Sequence, residues 1–321
     1  MAEKMTTIAA LNTAIREEME RDKNVFCIGE DIAEMGGTFG VTKGLLEKFP
    51  GRVINTPISE AAPASMCVGA ALHGKRPIME LMFADFLTVP YDSIVNQAAK
   101  MRYMSHGQAT VPVVFRAPQG VGGGIGAHHS QTVDSWFMNA PGLKIVTPSS
   151  PQDAYGLMKA AIRDDNPVVF LEHKALYRID GPVALGEITP LGQANVVKPG
   201  KDITVVANQL MLGQIAKGLL PELSDIDIEL IDPRTIKPFD YETVYKSVAK
   251  TGRILFVSEG PITGSWTADV AAKVAENCFD SLKAPIRRIG GLDSSLPYAK
   301  AEWFMVPQMK HVGETICALV K

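Results

Sequence analysis

Cysteine is scarce in this chain and has no pairing pattern. The four cysteines among 321 residues, Cys27, Cys67, Cys278 and Cys317, form no CxxC pair. Three of them lie inside apolar runs and read as small core residues. That pattern argues against a disulfide framework and against a zinc site. An excess of charge of one sign is also missing: 32 lysines and arginines stand against 35 aspartates and glutamates, a formal net charge of −3. Without a basic surplus, nucleic acid and anionic membrane are not expected partners. No apolar run is long enough to span a bilayer. The first residues, Met1-Ala2-Glu3-Lys4, lack the apolar core and cleavage pattern of a signal peptide, so the cytoplasm is the expected compartment. The one glycine-rich stretch has neither GxGxxG spacing nor the GK[ST] of a phosphate loop, which disfavours a nicotinamide dehydrogenase.

What is present is an ordinary globular composition, 46% hydrophobic and 21% charged, long enough for two α/β domains. Thr7 to Met19 has helical spacing, with Ile8, Leu11, Ile15 and Met19 along one face. Short apolar strands follow at Val25–Ile28, Val53–Ile54, Ile78–Phe83, Val111–Phe115, Leu143–Val146 and Val168–Leu171, mostly separated by helical segments. Runs that are apolar at every position, such as Val111 to Phe115, suit a parallel sheet buried on both faces. Between Lys174 and Lys201 the pattern lapses and reads as a linker. The alternation then restarts from Ile203 to Ile289 as a second, smaller α/β unit. The expected fold is therefore α/β with two domains, residues 1–185 and 186–321, each a mainly parallel sheet flanked by helices. Ligands in such sheets bind beyond the carboxyl ends of the strands.

Five segments could carry chemistry. In Thr56-Pro57-Ile58-Ser59-Glu60-Ala61, Glu60 stands between an apolar strand and a small-residue helix, with no basic neighbour in sequence. An acid poor in water tends to stay protonated, because desolvation disfavours its charged form. It could then bond a ring nitrogen; a helix-start acid favoured by the dipole is the plainer alternative. Met82 and Phe86, in Met79 to Phe86, offer soft and aromatic walls for a flat ligand, or simply core packing. Gly120 to Gly126 holds five glycines in seven residues, so its backbone can approach a ligand or a partner closely. It leads into His128 and His129, the best acid/base candidates in a chain with six histidines. Ala161 to Pro167 ends a helix and presents free carbonyls, which can bind hard cations or face water. Asp232 to Asp240, with two prolines, reads as a rigid shaped loop.

Taken in order, these segments resemble the β subunit of thiamine-diphosphate-dependent 2-oxo acid and acetoin dehydrogenases, relatives of the C-terminal part of transketolases. The resemblance runs from about Thr6 to about Leu319. It rests on Gly29-Glu30-Asp31, Thr56-Pro57-Ile58-Ser59-Glu60, Ala127-His128-His129-Ser130, Ala161-Ile162-Arg163-Asp164 and Asp232-Pro233-Arg234-Thr235-Ile236-Lys237-Pro238. It implies a pyrimidine-binding domain followed by a transketolase C-terminal-like domain. Glu60 would bond the pyrimidine ring nitrogen of thiamine diphosphate and so activate the cofactor. Ile58, Met82 and Phe86 would contact the pyrimidine. His129 would be the active-site histidine, handling protons or guiding acyl transfer to lipoyl-lysine. Glu30 would be an acid of the tunnel between active sites. Val113, Ala161, Ile162, Asp164 and Asn166 would bind potassium through backbone carbonyls, as in some members of the family.

The Gly-Asp-Gly motif by which thiamine enzymes anchor the diphosphate through magnesium is absent. The resemblance therefore implies that an α subunit holds Mg2+ and the diphosphate, and that the active site forms in an α2β2 heterotetramer. The second domain would build the β–β contact and dock the lipoyl acyltransferase core. Three departures stand out: Pro63 in the first turn after Glu60, His128 where relatives often carry Gln, and Ser265-Trp266 in a usually glycine-rich stretch. Glu80-Leu81-Met82-Phe83, Met101-Arg102-Tyr103-Met104, Glu172-His173-Lys174 and Leu176-Tyr177 resemble acetoin dehydrogenase β subunits most, which favours acetoin slightly over pyruvate or branched-chain 2-oxo acids. Half of a split transketolase is the next alternative, disfavoured because Ala61 to Met66 offers no basic residue for a sugar phosphate. A scaffolding α/β protein with a decayed site is the non-enzymatic alternative, and the presence of both Glu60 and His129 speaks against it.

Overall fold

The computed structural model describes residues 2–321. Fourteen strands follow one another along the described residues: β1 (Glu3–Thr6), β2 (Val25–Gly29), β3 (Val53–Asn55), β4 (Arg76–Glu80), β5 (Val114–Gln119), β6 (Lys144–Val146), β7 (Val168–His173), β8 (Asp180–Val183), β9 (Asn195–Lys198), β10 (Ile203–Ala207), β11 (Ile228–Asp232), β12 (Thr235–Lys237), β13 (Ile254–Pro261) and β14 (Arg287–Gly291). The first large sheet has the order β12-β6-β7-β5-β4-β2-β3, and the second β14-β13-β10-β11-β9. Both are parallel except at one edge, where β12 runs against β6 and β9 against β11. The expected two-unit α/β architecture with mainly parallel sheets is what the chain adopts.

The all-apolar strands are buried on both faces, as their composition requires. One face of the first sheet, with Cys27, Val114 and Phe170, packs beneath the helices Thr7–Arg21 and Pro151–Arg163. The first of these helices starts where the Thr6 side chain accepts from Ala9 N at 3.2 Å; the second has Ser150 as its cap and Pro151 in its first turn. The other face, with Ile28, Met79, Phe115 and Val169, packs on the helix Ala61–Leu72. Its core continues without a break into Val206, Ile231, Phe256 and Trp266 of the second unit. The far face of the second sheet is closed by the helix Met309–Val320.

Three segments differ from their sequence reading. The strand expected from Val111 begins at Val114, because Pro112 has no N–H to give a ladder and Val113 N bonds back to Val111 O at 2.9 Å. The stretch read as linker holds β8, which pairs with β1, and β9, an edge strand. Both are half exposed, so neither shows the apolar run that marks a buried strand. The Asp232 to Pro238 loop crosses back to the first unit, where β12 extends the sheet beside β6.

Candidate functional site

Parallel strands β7, β5, β4, β2 and β3 are neighbours in that order, so their carboxyl ends share one edge of the sheet. Across that edge lie Lys174 after β7, the Gly120 to His129 loop after β5, Leu81 to Phe86 after β4, Glu30 after β2 and Thr56 to Glu60 after β3. Segments scattered over 145 residues of sequence thus form one rim, the place where open parallel sheets bind ligands.

Glu60 occupies the start of the helix Ala61–Leu72. Its own backbone is already helical (φ −62°, ψ −32°), and its carbonyl accepts from Ala64 N at 3.2 Å. Pro63 therefore sits in the first turn, where its missing N–H leaves no bond unmade, and the helix continues through it. The Glu60 side chain makes no capping bond, and its place at the helix start is also where the helix dipole favours an acid. The expected dry surroundings are not complete within this chain: Glu60 is half-buried, while Ala61, Ala62, Ser65 and Met66 beside it are exposed and Ile58 is 80% exposed.

Glu30 is buried next to it. Its carboxylate accepts from Ser59 N at 3.2 Å. Burial pushes the Glu30 carboxyl above its usual range, and the Glu60 charge pushes it further. The Glu30 loop is fixed to β3 through Asn55, whose side-chain Oδ1 accepts from Ala33 N at 2.9 Å.

On the other side of β4, rings gather around His129. Phe83 stands edge-on to the imidazole at 4.8 Å between centroids, and Phe86 does so at 5.5 Å. Phe39 packs on Phe83 at 5.9 Å and on Tyr177 at 5.1 Å. His129 and Met82 are half-buried, whereas His128 is exposed. Among the described residues no group of three His, Cys, Asp or Glu side chains could hold a metal ion.

Beneath this rim lies a frame that the sequence reading did not assign. Arg116 on β5 is buried between Glu80 on β4 and Glu172 on β7, and donates to both, with Nε to Glu172 Oε1 at 2.7 Å. Burial raises the Glu80 carboxyl to about 7 despite that arginine. His173 bonds Glu259 of the second unit at 2.7 Å. Lys174 Nζ donates to the carbonyls of Gly120 and His129, and burial lowers it to about 8. The only sequence signal for this frame is charge at the ends of strands otherwise apolar throughout. Charges in such places must be paired.

The proposed cation loop is elsewhere. Val113 precedes β5, and Ala161, Ile162, Asp164 and Asn166 precede β7, so they lie at the amino-end edge, opposite Glu60. Their carbonyls are already engaged by the protein. Arg76 donates to Ile162 O at 3.1 Å and to Asp164 O at 3.0 Å, Val168 N to Val113 O at 2.9 Å and Asp164 N to Ala161 O at 3.3 Å. Asn166 instead turns its N–H groups onto the Asp164 carboxylate at 2.9 and 3.0 Å. A potassium ion would have to share the Ile162 and Asp164 carbonyls with a guanidinium of the same charge.

Residues 3–180 match the family described as Transketolase, pyrimidine binding domain, and residues 192–312 the one described as Transketolase, C-terminal domain. The chain is 45% identical over 311 residues to the 2-oxoisovalerate dehydrogenase subunit beta of Bacillus subtilis, covering 94% of each protein. It is 45% identical over 318 residues to the pyruvate dehydrogenase E1 component subunit beta of Rickettsia conorii, covering 97% of each. A solved chain described as split gene transketolase, inactive beta4 tetramer, superposes with a TM-score of 0.81 over 98% of both chains at 19% identity, a likeness of fold. The chain belongs to the family of E1 β subunits of 2-oxo acid dehydrogenases, built from a transketolase pyrimidine-binding domain and a transketolase C-terminal domain.

Proposed function

We propose that this chain is the pyrimidine-binding half of a thiamine-diphosphate-dependent 2-oxo acid dehydrogenase component. The observation that carries the reading is Glu60: a carboxyl on the ligand-binding rim that makes no capping bond, beside an exposed face of small residues. That donor set fits a heterocycle. When bound, thiamine diphosphate supplies a carbon nucleophile and an electron sink for C–C cleavage. Glu60 holds a proton against the pyrimidine ring nitrogen. Ile58, Met82 and Phe86 offer the apolar and aromatic surface that flanks the ring. His129, packed edge-on against Phe83 and Phe86, presents an imidazole that holds or moves a proton at the reacting end.

An α subunit covers the exposed face around Ile58 and Met66, excludes water from Glu60 and supplies the Mg2+-diphosphate site that this chain lacks. A lipoyl acyltransferase core receives the acyl group, and the second domain forms the β–β contact of an α2β2 assembly. Potassium takes part in no step of this reading.

Substrate choice rests on the relatives rather than on the features that favour acetoin. Glu172, His173, Lys174 and Tyr177 serve the buried frame: Glu172 bonds Arg116 and Tyr177, His173 bonds Glu259, and Lys174 bonds two carbonyls. Residues so engaged do not select a substrate. A 2-oxo acid is the substrate proposed, with acetoin as the competing one.

The test is co-expression with an α subunit and assay of acetoin, pyruvate and branched 2-oxo acids with a dye acceptor. Turnover should require both chains and thiamine diphosphate. Activity of this chain alone would overturn the two-subunit reading. Glu60→Gln should slow proton exchange at the thiazolium carbon by on the order of 10²-fold or more. Exchange at the parental rate would remove Glu60 from its role.

A further inference from the structure

The loop that ends in His129 is held from the second domain by two carboxylates: Glu259 accepts from Val121 N at 2.9 Å, and Glu302 takes the glycines that follow. Glu302 is 1% exposed, in the short turn Ala299–Phe304, and Oε1 accepts from Gly122 N and from Gly124 N, both at 2.9 Å. Its Oε2 lies 3.5 Å from the hydroxyl of Ser130, the residue after His129. Ala299 N donates to Gly124 O at 2.9 Å, and Ile125 pairs with Tyr298 as an isolated bridge. The glycines are required here: a Cβ on Gly124 (φ +64°) would stand 2.9 Å from Ala299 Cα, and one on Gly126 (φ +82°) 2.5 Å from the Tyr298 ring. From the first domain, Lys174 Nζ donates to His129 O at 2.8 Å.

A stretch with five glycines in seven residues is costly to order, at roughly 1–2 kcal/mol per residue of backbone. A buried carboxylate is likewise costly unless its lone pairs are met. Here each offsets the other, because two converging N–H groups make charge-assisted bonds to one oxygen. We propose that Glu302 is a positioning residue for His129: it clamps the glycine loop across the domain boundary and so fixes where the imidazole stands against Phe83 and Phe86. Its catalytic consequence rests on the role of His129 given above; its structural consequence does not.

The test uses the assembled α2β2 enzyme with ring-carbon-labelled histidine in the β chain only, which gives six signals. His129→Ala identifies the His129 signal. Glu302→Ala should shift or broaden that signal. It should also lower kcat in lipoyl acylation by roughly ten- to a hundredfold, the size expected of a misplaced group. Glu302→Gln, which keeps an acceptor oxygen, should recover most of both. The double variant His129→Ala/Glu302→Ala should be no slower than His129→Ala within about threefold, because two residues acting through one group are not additive. If Glu302→Ala does not fold, Gly124→Ala disturbs the same contact and should move the same signal. An unmoved His129 signal in a folded variant, or losses that multiply in the double variant, would overturn the proposal. If His129→Ala alone leaves turnover intact, the catalytic role of His129 fails, while the ring signal still decides on Glu302.

Discussion

The Glu30 carboxylate accepts a hydrogen bond from the Ser59 backbone N–H at 3.2 Å, one residue ahead of Glu60. Adjacent ends of β2 and β3 make this contact, and it puts two acids on one rim. Glu30 is raised first by burial and next by the Glu60 charge, so it holds its proton above the ordinary carboxylate range. Glu30→Gln keeps an acceptor for Ser59 N but cannot ionise. The pH profile of kcat/KM should lose one ionisation on its acid side, with the plateau changed by only a few-fold. Glu30→Ala removes the acceptor, frees the Ser59 segment and should weaken thiamine diphosphate binding by about tenfold, the value of one lost hydrogen bond. An unchanged acid limb in Glu30→Gln would remove Glu30 from the site's electrostatics.

Arg116 is the cation that allows two carboxylates inside the sheet. Arg116→Met fits the space but leaves Glu80 and Glu172 buried without their partner, which should cost about 3–5 kcal/mol, read from the urea midpoint of the β chain. Glu80 is raised to about 7 by burial, so its contribution is largest below the usual carboxylate value and is lost as pH rises through 7. The deficit of the variant should accordingly be smaller at low pH, where both acids are protonated. A deficit independent of pH would show that packing, not charge, sets the cost.

Asp134 gives the opposite kind of test. It is 1% exposed at the domain boundary, receives the Ser135 hydroxyl at 3.2 Å and faces the Asn208 amide at 3.5 Å, and burial raises it to about 6. A carboxyl raised on folding binds a proton more tightly in the folded state. Its stabilising contribution is therefore full below the unfolded value and is lost as pH rises through about 6. Asp134→Asn removes the ionisation and should stabilise the chain above that pH by up to ~3 kcal/mol, taking two units at 1.36 kcal/mol each. Little gain should appear near pH 4. Urea melts at the two pH values check this, and an equal gain at both would mean that the carboxylate is not the penalised species.

The two α/β units were legible because period and composition report burial, and the parallel strands are apolar on both faces. The rim was legible in part. Glu60, Met82, Phe86 and His129 stand out because an acid, a thioether, a ring and an imidazole are unusual just past apolar strands. Phe83 lay within a segment already singled out, but a phenylalanine after a strand reads as core until its neighbour His129 is seen. Glu302 could not be found from sequence, since it meets Gly122 and Gly124 across 180 and 178 residues. β8 and β9 were missed for a related reason: an edge strand pairs on one side only, and exposure erases the apolar run. Nor does sequence show that Arg76 occupies carbonyls 86 and 88 residues away.

Arg76 supplies the last prediction. Its guanidinium donates to Ile162 O and Asp164 O and pairs with Asp165, tying the end of the helix Pro151–Arg163 to the start of β4. Arg76→Ala leaves both carbonyls without that donor, so it should cost about 2–3 kcal/mol, the size of lost hydrogen bonds to a charged group. The same carbonyls are those the family resemblance assigns to potassium. Melting the parent enzyme in KCl and in NaCl at equal ionic strength separates the two cations. Equal melting temperatures are expected, because protein donors already engage Val113, Ala161, Ile162 and Asp164. A higher melting temperature in potassium alone would mean that a second cation shares this ring. In that case Arg76→Ala should increase the potassium effect, since removing a like charge strengthens the site for the ion.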